Sequence, residues 1–151
     1  MQQRLNYMKS APEVYQAMAS LQAAVNKSGL EHALIELVKL RASQINGCAF
    51  CIDMHFKDAT AEGESAQRLY MLDAWREAPL YSERERAALA WTEAITLIHD
   101  EGASDPVYEE VRKHFSEHEI AHLTLAIVAI NGWNRLSIAA RTPPTYQRPQ
   151  K

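Results

Sequence analysis

Residues 36–55 read Glu-Leu-Val-Lys-Leu-Arg-Ala-Ser-Gln-Ile-Asn-Gly-Cys-Ala-Phe-Cys-Ile-Asp-Met-His, and this stretch decides both the architecture and the chemistry of the chain. Its first half closes a helical pattern. Leu34, Leu37 and Val38 recur at three- and four-residue steps, and Asn46-Gly47 is a helix stop. Its second half opens a new helix, with Cys48 in the first turn. Two helices joined by so short a connection fold back on one another as a hairpin. Glu36 and His55 lie at similar distances from the turn, rises of roughly 15 Å and 12 Å at 1.5 Å per residue. Glu36 is therefore expected to face His55. The competing reading pairs Glu36 with Arg41 or Lys39 on a solvated edge.

Helical periodicity extends outward in both directions. Val14, Ala17, Met18, Leu21 and Val25 form one stripe, stopped by Gly29. Helices are expected over 31–44, 48–62 and 64–77. Ser82-Glu83-Arg84-Glu85 and Ser116-Glu117-His118-Glu119 are capping boxes, in which the serine caps a backbone N–H and the glutamate reaches back. They open helices running to about Asp100 and Ala140. Ser104-Asp105-Pro106 reads as a further helix start. Leu123 to Ile130 is apolar nearly all round, which suits the centre of a bundle or a subunit interface. No segment alternates with the two-residue period of a hairpin strand. A single all-α domain over residues 1–151 is expected, ending in an extended basic tail at 142–151 that is either disordered or laid across a neighbouring subunit. Gln44-Ile-Asn-Gly-Cys48 is echoed by Ala129-Ile-Asn-Gly-Trp133, a faint repeat. Gly132 in that echo suits close helix packing.

Composition narrows the function. The chain has 151 residues, a formal net charge of −3 and two cysteines. A chain of this length buries enough surface to fold without a staple, and its charge does not point to nucleic acid or an anionic membrane. The start, MQQRLNYMKSAPEVY, lacks the apolar core of a secretion signal. The run at 123–130 is far short of the roughly 20 residues that span a bilayer. A cytoplasmic location is expected. Thiols stay reduced there, so a close cysteine pair points to catalysis, redox chemistry or metal binding rather than to a structural bridge.

His118-Glu-Ile-Ala-His122 fits the H-E-x-x-H pattern of zinc proteases. Such a zinc needs a third protein ligand, and no His, Asp, Glu or Cys follows His122. Glu119 also has a simpler role in its capping box. The two histidines are read as structural.

Cys48, Cys51 and His55 are spaced three and four apart, so all three share one helical face. A thiol near a helix N-terminus has its anion favoured by the dipole and the unpaired N–H groups. If Glu36 faces His55, the carboxylate can hold the histidine that moves a proton to or from Cys51. Zinc would need Asp53 or Glu36 as a fourth ligand, and ligands on one helical face suit a dithiol better.

Glu36, eleven residues, Cys48-Ala-Phe-Cys51, three residues and His55 together resemble the signature of the alkylhydroperoxidase AhpD-like, or carboxymuconolactone decarboxylase, family. The segments Leu37 to Gly47 and Ile130 to Leu136 strengthen the resemblance, which covers about residues 10 to 140. It implies an AhpD-like helical bundle that is an obligate homo-oligomer, often a trimer or hexamer. It implies a thiol-dependent peroxidase without cofactor or metal. In this reading Cys51 attacks an organic hydroperoxide and becomes a sulfenic acid, and Cys48 condenses with it to a redox-active disulfide. His55 and Glu36 handle the protons. A lipoyl-bearing or thioredoxin-like dithiol protein then reduces the pair. The sequence departs from the peroxidase branch at Phe50, where that branch carries a histidine before its second cysteine; this puts high peroxidase turnover in doubt. Three alternatives remain: a disulfide reductase or redox sensor, a helical binding protein with an inert pair, and a decarboxylase. The last predicts a pocket rich in Arg and His.

Overall fold

Gly47 turns the chain between the two helices of the opening stretch, with φ of 67°. Its left-handed conformation suits glycine. The computed structural model describes residues 2–100 and 102–145. Among these all regular structure is helical: α1 Tyr7–Ser10, α2 Pro12–Asn26, α3 His32–Asn46, α4 Ala49–Ala61, α5 Ala66–Tyr70, a 3-10 turn Leu72–Ala74, α6 Glu83–Thr96, α7 Asp105–Val111 and α8 Glu117–Ala140. The fold class is the one the periodicity indicated.

α3 is the central helix and packs against α4, α6 and α8. Leu34 and Val38 join Ala88, Trp91, Leu123 and Ile127 in one core layer. Leu37 and Leu40 join Leu69, Leu72, Trp75 and Leu89 in a second. Ile35 meets Val25, Ala126 and Ala129 in a third. A helix surrounded on three sides buries even its charged residues, and Glu36 and Lys39 are both buried.

Both capping boxes form, at Ser82/Glu85 and Ser116/Glu119. Several boundaries differ from the sequence reading. The single helix expected over 64–77 is α5 followed by a 3-10 turn. Leu69, Leu72, Trp75 and Ala78 are all buried at steps of three, the period of a 3-10 turn rather than of a long α-helix. α6 ends at Thr96 instead of near Asp100, since Ile98 beyond it is exposed and has no apolar face to join. The short α1, capped by Asn6, had no signal in the apolar pattern. The tail expected over 142–151 is described only to Thr145. There it lies against this chain's own α4, with the Thr145 N–H donating to Asp53 at 3.2 Å and Lys57 donating to the Thr145 carbonyl at 2.8 Å. Residues 146–151 lie outside the described residues.

α8 is long and apolar enough to cross a membrane by length and composition alone. It packs against α2, α3 and α6 and leaves Val128 and Ile138 on the outside. Gly132 allows α2 close, because a Cβ there would stand 2.8 Å from Met18 Cε. The two asparagines of the echoed segments bond each other: Asn46 Nδ2 donates to Asn131 Oδ1 at 3.0 Å and to Asn134 Oδ1 at 2.9 Å. Asn134, fully buried, donates to Ser43 Oγ at 3.0 Å. α8 thereby grips the turn that presents Cys48. Replacing Asn134 by Ala strands Ser43 and takes a partner from Asn46 inside the protein. N134A is expected to lose about 2 kcal/mol of stability in urea unfolding, whereas N134A with no measurable loss would mean the network contributes nothing.

Candidate thiol redox site

Cys48 stands one residue earlier than the helical spacing suggested. It is the N-cap of α4, with φ −83° and ψ 93°, and not part of the first turn. The cause is local: Gly47 and Cys48 donate their N–H groups back to Gln44 and Ser43 at 3.1 and 3.0 Å, closing α3 before α4 begins. The Cys48 sulfur accepts the N–H of Cys51 at 3.4 Å. Cys48 and Cys51 are disulfide-bonded with a Cα–Cα distance of 5.3 Å. Each is 1% exposed.

The hairpin brings Glu36 to His55 as its geometry predicted. His55 Nδ1 donates to Glu36 Oε2 at 2.8 Å. A carboxylate only accepts, so the Nδ1 nitrogen carries the proton. The other nitrogen, Nε2, is buried and has no hydrogen-bond partner among the described residues. It is therefore the atom able to take or give a proton. The competing reading is also half right. Lys39 Nζ donates to Glu36 Oε1 at 2.8 Å, while Arg41 is drawn away to Glu93 and Asp73. Burial pushes the Glu36 carboxyl up, but the hydrogen bond from His55 and the charges of His55 and Lys39 outweigh it and hold it at about 2.

Cys51, His55, Glu36 and Lys39 line one cavity of about 590 Å³. Tyr15, Phe50, Met54 and Trp133 supply its apolar walls. Tyr15 and Trp133 meet edge to face at 5.5 Å, joining α2 to α8 at the wall. Among the described residues no arginine lines the cavity. The sequence reading missed Lys39 as part of the site, and it missed His32 altogether. His32 lies one helical turn before Glu36, a spacing that could have revealed it.

Glu36, His55 and Asp58 offer donor atoms within 4.8 Å of one another. Both Glu36 oxygens are already held, by Lys39 and His55. Asp53, the other candidate zinc ligand, is bonded to Lys57 and Thr145 instead. In the first turns of α8 the rings of His118 and His122 meet at a tilt of 60°, with 4.4 Å between centroids. Among the described residues they gather no third ligand, and Glu119 is committed to Ser116 and Arg84.

The family model described as carboxymuconolactone decarboxylase matches residues 12–94. The uncharacterized protein YdfG of Bacillus subtilis is 46% identical over 139 residues, covering 92% of this chain and 95% of its own length. A solved structure from Agrobacterium tumefaciens superimposes with a TM-score of 0.94 at 47% identity, over 97% of this chain and 100% of that one. It is a protein of unknown function with a suggested AhpD role in antioxidant defence. The debrominase Bmp8 shares the fold, with a TM-score of 0.81 at 20% identity, over 91% of this chain and 74% of its own. The chain belongs to the carboxymuconolactone decarboxylase family, with the AhpD-like helical fold that the signature residues implied.

The Glu36 environment makes a signed prediction. A carboxyl held at about 2, against its ordinary 4.5, adds stability that is fully present above pH 4.5 and lost as pH falls towards 2. E36Q is expected to unfold at lower urea than the wild type at pH 7. The gap should narrow steadily between pH 4.5 and 2, and a gap independent of pH would show that the ionised carboxylate is not what stabilises the hairpin.

Proposed function

We propose that this member of the carboxymuconolactone decarboxylase family is a thiol-dependent peroxidase of the AhpD kind, reducing organic hydroperoxides through Cys51 and Cys48. The observation that carries the reading is a Cys48–Cys51 disulfide whose Cys51 lines the same cavity as a histidine with Nδ1 held by Glu36 and Nε2 unpartnered among the described residues. The fold does not carry it, because a debrominase shares that fold. The suggested antioxidant role of the Agrobacterium relative supports it.

In the reduced protein Cys51 gives its proton to His55 Nε2, and Glu36 stabilises the cation that forms. The thiolate attacks the distal peroxide oxygen. An S–O bond forms, the O–O bond breaks, and the alkoxide leaves to be protonated to the alcohol. Cys51 is now a sulfenic acid. The Cys48 thiol displaces its hydroxyl as water and closes the disulfide. A dithiol then opens the disulfide by exchange, becoming a disulfide itself and returning both thiols. A lipoyl-bearing or thioredoxin-like protein supplies this step in the proposed cycle. Such a cycle suits a reducing compartment such as the cytoplasm and a homo-oligomer of the family's trimeric or hexameric kind.

The apolar walls formed by Tyr15, Phe50, Met54 and Trp133 favour an organic hydroperoxide over hydrogen peroxide.

Limiting cumene hydroperoxide added to the reduced protein should remove two hydrogens in mass, localised to the peptide holding residues 48–51. C51S is expected to lose peroxide consumption by at least about a hundredfold. C48S should consume one equivalent and then stall as the sulfenic acid. Turnover in both variants at the wild-type rate would sink the assignment.

A further inference from the structure

We propose that His32 is the acid that protonates the leaving oxygen; this rests on the peroxidase reading above. Breaking the O–O bond releases an alkoxide, which is a poor leaving group unless it receives a proton as it departs. Phe50, beside the attacking cysteine, has no proton to give. His55 receives the thiol proton at a nitrogen buried inside the cavity, and Lys39 is bound to Glu36. The cavity holds one further imidazole, His32 on the first residue of α3.

The placement of His32 suits a donor that must be recharged at every turnover. Its side chain is 59% exposed, against 7% for His55. Its Nδ1 is fixed by Glu62, the C-cap of α4, at 2.6 Å. That contact turns Nε2 inward, to 3.9 Å from Glu36 Oε1. The charged and titratable groups around it are Asp58 on α4, Glu62 at its C-cap and Glu36 on α3, with Lys39 and His55 also bonded to Glu36. A protonated His32 thus stands between two carboxylates with one N–H directed into the cavity. Its proton goes to the alkoxide, giving the alcohol, and solvent restores it from the exposed side. His55 acts as the base and His32 as the acid, so neither must do both within one step.

The test exploits the leaving group. tert-Butyl hydroperoxide expels an alkoxide and needs the acid, whereas peracetic acid expels a carboxylate that leaves without one. Rates of disulfide formation in the dithiothreitol-reduced full chain are compared by rapid quench and mass spectrometry. H32Q is expected to slow the reaction with tert-butyl hydroperoxide by about a hundredfold, and that with peracetic acid by less than about threefold. E62Q, which removes the negative charge beside Nδ1 but keeps the acid, should show the same selective loss at smaller size. A merely structural role for His32 would slow both reactions equally. Equal slowing, no slowing, or the selective pattern in Y15F instead of H32Q overturns the proposal. A wild-type protein that forms no disulfide with either oxidant overturns the peroxidase reading and this proposal together.

Discussion

A carboxylate buried at the centre of a helical bundle cannot stay charged without partners, and Glu36 has three within reach. Lys39 and His55 bond its two oxygens, and His32 approaches from outside. Isolated burial of that charge would cost several kcal/mol. Its partners are drawn from both helices of the hairpin, so α3 and α4 can pair in one register only. The same constraint fixes the tautomer of His55. Because the carboxylate only accepts, the proton sits on Nδ1 and Nε2 is left without a partner among the described residues. In the proposed cycle, the interaction that secures the fold here also prepares the base.

The hairpin in turn depends on α8. Asn46 is the last residue of α3, and its amide is taken by Asn131 and Asn134. Asn131 continues the chain of bonds to Thr96 on α6 at 3.0 Å. The end of α3, the turn at Gly47 and the start of α4 are therefore tied to two other helices by side-chain amides. Apolar packing alone has no such directionality. A turn that must present a sulfur to within bonding distance of another gains from bonds with fixed geometry. Glu93 plays a similar part at the other flank of α3, where it gathers Arg41, Arg76 and the Trp75 indole N–H. Burial raises the Glu93 carboxyl, but these donors outweigh it and lower it.

Much of the fold was legible because its signals were local. Two capping boxes, the left-handed stop at Gly47 and the three- and four-residue stripes depend on neighbours within one or two turns. The pairing of Glu36 with His55 was legible for a related reason: a short turn converts sequence distance into spatial level. What escaped was set by distant contacts. The break of residues 64–77 into α5 and a 3-10 turn follows from Leu69, Leu72 and Trp75 reaching a core built by α3 and α6. The apolar wall from Tyr15 and Trp133 joins residues over a hundred positions apart. The echoed Asn-Gly pairs looked like a repeat, and the two asparagines are in fact bonding partners, which no alignment of one segment on the other could reveal.

The one-residue displacement of Cys48 has a chemical meaning in the proposed cycle. Inside the first turn, Cys48 would have helical backbone angles and a side chain directed by the helix. As the N-cap it has extended angles, and its sulfur lies across the open end of α4, accepting the Cys51 N–H. The resolving sulfur thus occupies the place a serine or aspartate takes in an ordinary cap. Cys51, three residues on, remains inside the first turn, where the positive end of the dipole favours a thiolate. The two sulfurs are brought together by the way the helix begins.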